Sequence, residues 1–310
     1  MLDQNWFWIF NAVVIVLLAA DLLILQRKAH EVKAGEAALL VAFWVSLSMG
    51  FAVWIGSTRG PADATTFLFA YGIEYLLSVD NIFVFILLFT HFKVPAVSQH
   101  RVLFWGILGA IVLRASMIGA GVALLERFHW IIHVFGLFLV YTGIKMGLGK
   151  EEGVDPDKSA LIRFFRRFLP LSTDYNGARF TVREGGRLLL TPLALVLLVV
   201  ETTDLIFAVD SIPAVFGITT DPFLVYTSNI CAVLGLRSLY FLLARMMTSF
   251  EYLKYGLAAI LTFIGVKMLL SHYLHIPREI SMGTVVGILV ISVVVSLIAR
   301  RRKAAEANGE

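Results

Sequence analysis

Acidic side chains interrupt two stretches of this chain that are otherwise apolar enough to lie in a bilayer. These carboxylates belong to Glu74, Asp80, Glu201, Asp204 and Asp210. A single uncompensated carboxylate in the middle of a bilayer costs at least ~2.5–3.5 kcal/mol. Five of them in two segments therefore indicate a function, and the chemistry we expect is the binding of a cation or of protons inside the membrane.

Further oxygen atoms accompany these carboxylates, whereas neither acidic segment contains histidine. They are the amide of Asn81 and the hydroxyl groups of Ser78, Thr202, Thr203 and Ser211. Such a set of hard oxygen ligands suits Mg²⁺, Ca²⁺ or Mn²⁺ rather than Zn²⁺ or Cu⁺. Five negative charges exceed the charge of one divalent ion, and packed carboxylates also bind protons, so proton entry is the coupling we expect.

The spacing of the three acids in the second segment decides whether they can meet. Successive helical residues turn by ~100°, so Glu201 and Asp204 lie about 60° apart, while Asp210 lies about 120° from Asp204 and about 180° from Glu201. A regular helix would direct some of these carboxylates away from the others. Pro213 removes one backbone hydrogen bond, so we expect the helix to break near Asp210 and Ser211.

The composition places these segments in a polytopic membrane protein with an all-α fold. The chain has 310 residues, of which 59% are hydrophobic and 15% charged, with a mean hydropathy of +0.83; a soluble domain carries roughly 25% charged residues. Nine segments approach the length of about 20 residues that a spanning helix needs. They are residues 6–25, 37–56, 66–90, 102–124, 130–148, 189–213, 222–244, 253–271 and 279–299. Cys231 is the only cysteine, which excludes an internal disulfide and a thiolate metal cluster.

The basic residues are distributed unevenly between alternate loops. Nineteen Lys and Arg residues lie in the loops and tail on one side of the predicted membrane, and three lie on the other. Because cytoplasmic loops carry the excess of basic residues, we expect the N-terminus outside and the C-terminus inside. The basic residues follow the loop pattern of a membrane protein, so we expect no nucleic acid as a partner. The Arg-rich run at 163–168 is expected on the inner leaflet.

The two acidic segments begin two copies of one repeat. IEYLLSVDNIFVF at 73–85 resembles TDLIFAVDSIPAVF at 203–216, and GAIVLRASMIG at 109–119 aligns with CAVLGLRSLYF at 231–241. Each copy has three predicted spans, so the second would enter the membrane in the opposite sense. Inverted repeats are typical of secondary transporters, whose binding site lies near the midplane where the repeats meet.

Each repeat also carries one arginine near the middle of a span. The aligned pairs are Glu74 with Asp204, Asp80 with Asp210, and Arg114 with Arg237. The two arginines are either structural partners of the acids or counter-ions that hold the empty site and leave when cargo binds. The predicted architecture comprises two leading helices (1–60), repeat one (66–148), a basic cytoplasmic loop (149–188), repeat two (189–271), a last helix (279–299) and a cytoplasmic tail (300–310).

These motifs resemble the TerC family of integral membrane proteins, most closely its bacterial Alx-type branch. The residues that carry the resemblance are EYLLSVDNIFVF, ETTDLIFAVDSIPAVF, GLRSLYFLL (235–243) and YGLAAILTFIGVKMLL (255–270). The family is similar to the wider LysE-like exporter group. The resemblance implies that the protein exports Mn²⁺ across the cell's inner membrane, with Mn²⁺ as a transported substrate rather than a cofactor. It also implies an ion pathway formed by Glu74, Asp80, Asn81, Glu201, Asp204 and Asp210.

Three hypotheses for the function stay open at this point. The first is a multi-pass divalent-cation exporter without enzymatic activity, and oxygen ligands alone do not separate Mn²⁺ from Ca²⁺ or Mg²⁺. The second is an intramembrane aspartyl protease, which would need a Gly-x-Gly-Asp element that neither LLSVDN nor IFAVDS provides. The third is a non-transporting assembly or stress-related factor that binds protein partners through the loop at 149–188.

Overall fold

Helices dominate the part of the chain that the computed structural model describes, which comprises residues 2–20, 34–128, 130–148, 160–172, 175–184, 187–244, 253–271 and 278–307. The helices are α1 (Leu2–Ala20), α2 (Ala34–Thr58), α3 (Pro61–His91), α4 (Ala96–Arg127), α5 (Ile131–Leu148), α6 (Ala160–Phe168), α7 (Pro192–Phe216), α8 (Pro222–Leu243), α9 (Leu253–Leu270) and α10 (Arg278–Ala307). Two short strands, β1 (Thr181–Glu184) and β2 (Arg187–Leu190), lie between α6 and α7.

Six of these helices are long and apolar enough to span a membrane, namely α2, α3, α4, α5, α7 and α8. Three others contain shorter apolar stretches, Asn5–Ala20 in α1, Tyr255–Leu270 in α9 and Gly283–Ser296 in α10. The fold is therefore that of an all-α polytopic membrane protein, as the composition predicts. The count of nine spans and their orientation stay predictions.

Proline and glycine fix the starts of the central helices. Pro61, Pro192 and Pro222 occupy the first turns of α3, α7 and α8, where the N–H that proline lacks would have no partner within the helix. Asp221 caps α8 by accepting hydrogen bonds from two backbone N–H groups of its first turn, at 2.9 and 3.2 Å. Gly60 precedes α3 with a φ of +103°, which favours glycine.

An ionic cluster ties the starts of α3 and α8 together. Arg59, between α2 and α3, pairs with Asp63 at 3.2 Å and forms a second ion pair with Asp221. The guanidinium carbon also lies 5.2 Å from the centre of the Phe223 ring. These contacts hold the first turn of α8 beside the first turn of α3.

The helices pack so that α3, α4, α7 and α8 surround a common interior. α3 packs on α8, α4 packs on α7, and α5 and α9 share the most extensive interface in the described bundle. α8 is the central element, since its residues are buried without interruption from Phe223 to Tyr240. Of the two helices that carry the acids, α3 therefore faces α8 and α7 faces α4.

Glycines allow α5 and α9 to approach closely. The carbonyl oxygen of Gly265 would lie 2.9 Å from a Cβ placed at Gly136, and that of Gly136 would lie 2.6 Å from a Cβ placed at Gly265. Further along the interface, a Cβ at Gly143 would lie 2.7 Å from the carbonyl oxygen of Ala258. Small residues at such contacts are the usual means by which membrane helices pack closely.

Part of the basic loop is folded onto the bundle, and its hairpin was not predicted. β1 and β2 pair antiparallel, with Thr181 opposite Leu190. Ile162 of α6 is 1% exposed and belongs to the apolar core formed with α3, α4 and α7. The Tyr175 hydroxyl donates to the carbonyl oxygen of Phe92 at 2.6 Å. The folded part of the loop thus covers the end of the bundle at which α4 and α7 begin.

One prediction about the helices is wrong in this structure. α7 is a continuous helix with Pro213 inside it, so the expected break near Asp210 and Ser211 is absent. Pro213 removes one backbone hydrogen bond from the last turn of α7. Because the helix ends at Phe216, few backbone bonds follow the proline, and the loss does not interrupt the helix. α10 extends to Ala307, so helical structure continues into the segment predicted as a cytoplasmic tail, whose side of the membrane stays a prediction.

Alanine at Gly136 or Gly265 should lower the free energy of unfolding by ~1–3 kcal/mol, because the added methyl group overlaps the backbone of the facing helix. The measurement is thermal unfolding in detergent, followed by tryptophan fluorescence. Gly50 and Gly119 are matched controls, since no atom lies within 4 Å of a Cβ built at either position. Equal melting temperatures for all four alanine variants would contradict the close packing of α5 and α9.

Candidate ion-binding site

A buried arginine lies between two acids at the centre of the bundle. Arg114 on α4 donates from Nη1 to Glu74 Oε2 on α3 at 2.9 Å, and from Nε and Nη2 to the two carboxylate oxygens of Asp204 on α7, each at 3.0 Å. The three side chains, which we call the central triad, are at most 4% exposed. Each lies near the middle of its helix, which places the central triad near the middle of the predicted membrane.

The central triad does not use all of its hydrogen-bonding capacity. One guanidinium faces two carboxylates, so the formal charge of the central triad is −1 when both acids are ionised. Glu74 Oε1 is buried without a hydrogen-bond partner among the described residues. The amide nitrogen of Asn81 lies 3.5 Å from Asp204 Oδ1, which is longer than an ordinary N–H···O bond. Carboxylate and amide oxygens therefore remain able to bind another cation or a proton.

A second carboxylate of α7 lies one turn from the central triad. Glu201 faces α4, where a Cβ placed at Gly109 would overlap its carboxylate. Only glycine leaves the space that this side chain occupies. Glu201 Oε2 is also buried without a hydrogen-bond partner in the described part of the chain. The interface of α4 and α7 thus contains two carboxylates, of which only Asp204 is paired with an arginine.

A small cavity lies next to the central triad. Its volume is about 20 Å³, enough for one water molecule. Asp204 and Arg237 form its charged walls, and apolar residues of α3, α4, α7 and α8 form the rest. Arg237 is 6% exposed. Of the two arginines that the repeat predicted, Arg114 is therefore in a direct ion pair with Asp204, and Arg237 shares a cavity with it.

Asp210 lies apart from the central triad. Its Oδ1 accepts a hydrogen bond from the hydroxyl of Thr142 on α5 at 3.4 Å, and Lys145 on the same helix interacts with it electrostatically. The continuity of α7 explains this, since Asp210 is rotated by about 120° from Asp204 along a regular helix. α7 thus directs its acids to two different neighbours. Asp80 lies in α3, and its side chain falls outside what the structure describes.

Within the described residues, no group of three or more Asp, Glu, His or Cys side chains is arranged to hold a metal ion. The guanidinium of Arg114 occupies the space between the carboxylates of Glu74 and Asp204. The nearby hydroxyl groups of Ser78, Thr202 and Thr203 donate to carbonyl oxygens of their own helices. Ser211 is buried, and its Oγ has no partner among the described atoms.

Two contributors to this geometry were missed at the level of sequence. One is Gly109, which leaves the space for Glu201. The sequence contained a signal for this contact, because Gly106, Gly109 and Ala110 form a face of small residues on α4 next to Arg114. Such a face is typical of closely packed membrane helices. Thr142 gave no signal, since a single hydroxyl in an apolar helix usually donates to its own backbone.

Residues 59–304 match the model of the family described as "Integral membrane protein TerC family". The chain belongs to the TerC family. The matched region runs from the start of α3 into α10 and therefore includes every residue of the central triad. The predicted family is confirmed.

Three relatives of this TerC-family protein cover nearly its whole length. "Uncharacterized membrane protein STKORF319" of Myxococcus xanthus is 50% identical over 292 residues, which cover 94% of this chain and 92% of the relative. "Putative membrane-bound redox modulator Alx" of Escherichia coli (strain K12) is 48% identical over 296 residues, covering 93% and 92%. A membrane protein of Rickettsia bellii is 37% identical over 297 residues, covering 96% and 98%. No solved structure matches this chain.

Replacing Arg114 by glutamine should lower the free energy of unfolding by about 3–5 kcal/mol, because it leaves two buried carboxylates without their counter-charge. Neutralising all three residues, as E74Q/R114Q/D204N, should restore most of this loss. The measurement is unfolding in detergent, by temperature or by denaturant. A triple variant no more stable than R114Q would show that charge compensation does not stabilise the central triad.

Gly109→Ala should lower the free energy of unfolding by ~1–3 kcal/mol, because the new methyl group displaces the Glu201 carboxylate. In an E201A background the same substitution should have little effect, and the difference between the backgrounds measures the contact. Gly119→Ala is the matched control on the same helix, since the space around that glycine is open. An equal loss in both backgrounds would contradict the contact between Gly109 and Glu201.

Proposed function

We propose that this TerC-family protein is a secondary transporter that exports a divalent cation, Mn²⁺, across the inner membrane. The observation that carries the proposal is the central triad, an arginine held between two acids inside the bundle. A buried ion pair is a weak source of stability, since apolar residues of similar volume often replace it without loss. Ionisable groups at this depth are instead typical of ion pathways.

The charges of the central triad suit the exchange of Arg114 for a divalent ion. Glu74 and Asp204 carry two negative charges, which one Mn²⁺ neutralises fully and one guanidinium neutralises by half. Oxygen ligands suit Mn²⁺, and Glu201 and Asn81 add further oxygens beside the same carboxylates. In the proposed cycle Arg114 stabilises the empty site, moves aside when the ion binds and returns when it leaves. Proton binding to these carboxylates couples export to proton entry.

The packing of the helices supports an inverted repeat around this site. If α3–α5 and α7–α9 are equivalent, the contact of α3 with α8 corresponds to that of α7 with α4, and both occur. YTGIKMGL at 141–148 aligns with FIGVKMLL at 263–270, an offset of 122 residues. At this offset the contact of Gly136 with Gly265 corresponds to that of Ala258 with Gly143, which also occurs. Two halves related by an approximate twofold axis provide a means of alternating access. The basic loop and the C-terminus are cytoplasmic in this proposal.

The name of the Alx relatives suggests a redox function as an alternative. Thiol exchange in this chain would depend on Cys231, which is the only cysteine of the sequence and is buried in α8. It therefore has no second thiol with which to form an internal disulfide. Residues with a clear transport chemistry are present at the centre of the bundle, and cation export is the function we propose.

Expression of the chain in a manganese-sensitive strain should lower cellular manganese and raise tolerance, and E74Q or D204N should abolish both effects. The same variants should abolish Mn²⁺ movement in proteoliposomes that contain the purified protein, because each removes one of the two negative charges that would neutralise the ion. The measurements are elemental analysis of cells and a metal-sensitive dye inside the vesicles. Competition by Ca²⁺ and Mg²⁺, with and without a pH gradient, determines the cargo and the coupling.

Glu126→Gln is the matched control, because Glu126 is exposed at the end of α4 and far along that helix from Arg114. This variant should transport like the unmodified protein. Unchanged manganese in cells that express the chain, together with no Mn²⁺ movement in vesicles, would refute export. That result would favour the assembly or stress-related factor, for which the central triad is structural.

A further inference from the structure

α6 presents three chemically different faces. Its sequence is ALIRFFRRF, and successive residues of a helix turn by ~100°. Relative to Ile162, Arg163 and Arg167 lie at about 100° and 140°, and Phe164 and Phe168 at about 200° and 240°. We call the side of Ile162, which Phe165 shares at about 300°, the packed face, the side of the arginines the basic face, and the side of Phe164 and Phe168 the aromatic face.

The packed face is fixed to the protein. Ile162 is 1% exposed and lies in the same apolar core as Leu193 and Val196 of α7. Phe165 packs against this core from the same side of the helix. α6 is therefore held beside the first turns of α7, where that helix enters the predicted membrane.

The aromatic face points away from the protein. Phe164 and Phe168 are 55% and 63% exposed, and their ring centres lie 4.7 Å apart. Two large apolar side chains next to each other on an otherwise basic loop would favour aggregation in water. An amphipathic helix that lies in a membrane interface buries such a face among the acyl chains.

The basic face lies between the other two. Arg163 and Arg167 are both exposed, and the guanidinium carbon of Arg167 lies 5.8 Å from the centre of the Phe168 ring. Arginine forms charge-assisted hydrogen bonds with phosphate groups. Phosphate groups and acyl chains lie side by side only at the surface of a bilayer, which matches the basic and aromatic faces of one helix.

We propose that α6 is a docking surface for anionic lipids of the inner leaflet. Phe164 and Phe168 enter the acyl-chain region, while Arg163 and Arg167 bind headgroup phosphates. Ile162 transmits this attachment to the start of α7. The proposal does not depend on the transported ion, and it concerns residues outside the central triad.

The test uses the full-length protein in nanodiscs of phosphatidylcholine alone or of phosphatidylcholine mixed with phosphatidylglycerol. The measurement is amide hydrogen exchange of residues 160–168. Exchange should be slower in the anionic discs, by about fivefold for each bound arginine, since a basic residue near an anionic surface contributes about that factor. The difference should shrink as the salt concentration rises.

The variant R163Q/R167Q should lose the difference between the two kinds of disc. F164S/F168S should exchange faster in both. R183Q/R187Q is the matched control, because it removes the same charge from exposed arginines of the hairpin, and it should keep the difference. None of these changes touches Ile162, and an unchanged melting temperature verifies the fold of each variant.

Two results would overturn the proposal. One is an equal rate of hydrogen exchange at residues 160–168 of the unmodified protein in both kinds of disc. This includes the case in which exchange slows only when a cytosolic protein is added. The other is a loss of the difference in R183Q/R187Q as complete as in R163Q/R167Q, since this would mean that diffuse positive charge rather than α6 attracts the lipid.

Discussion

Three helices of this protein are held at one depth by a single guanidinium. In an interior of low dielectric constant, Glu74 and Asp204 need Arg114 as a counter-charge, and Arg114 needs both of them. Because each residue comes from a different helix, α3, α4 and α7 must meet where the central triad forms. The close approach of α4 to α7 depends on Gly109, which leaves the space for Glu201.

The remainder of the fold keeps these helices in position. α8 is buried along most of its length and packs on α3 and α4. At one end of the bundle, Arg59 links the starts of α3 and α8 through Asp63 and Asp221. At the other end, α6 and the hairpin cover the beginnings of α4 and α7. The central triad therefore lies between two sets of contacts, one at each end of the described helices.

Sequence patterns predicted the membrane class and the family, but not how the acids divide between neighbouring helices. Glu74 and Asp204 meet through Arg114, whereas Asp210 contacts Thr142 on α5. Pro213 suggested a broken helix that would bring all of them together. The helix stays continuous because the missing hydrogen bond falls in its last turn. The helix-breaking tendency of proline thus predicted the wrong direction for the side chain of Asp210.

By itself, the sequence determined that the chain belongs in a membrane, that carboxylates and arginines interrupt its apolar segments, and that it resembles the TerC family. Hydropathy, charge and motif are properties of short segments, so they can be read without knowing the fold. Only the tertiary structure decided that Arg114 is in a direct ion pair with Asp204, and that Gly109 accommodates Glu201. These facts depend on the rotation and approach of whole helices, which packing against distant parts of the chain fixes.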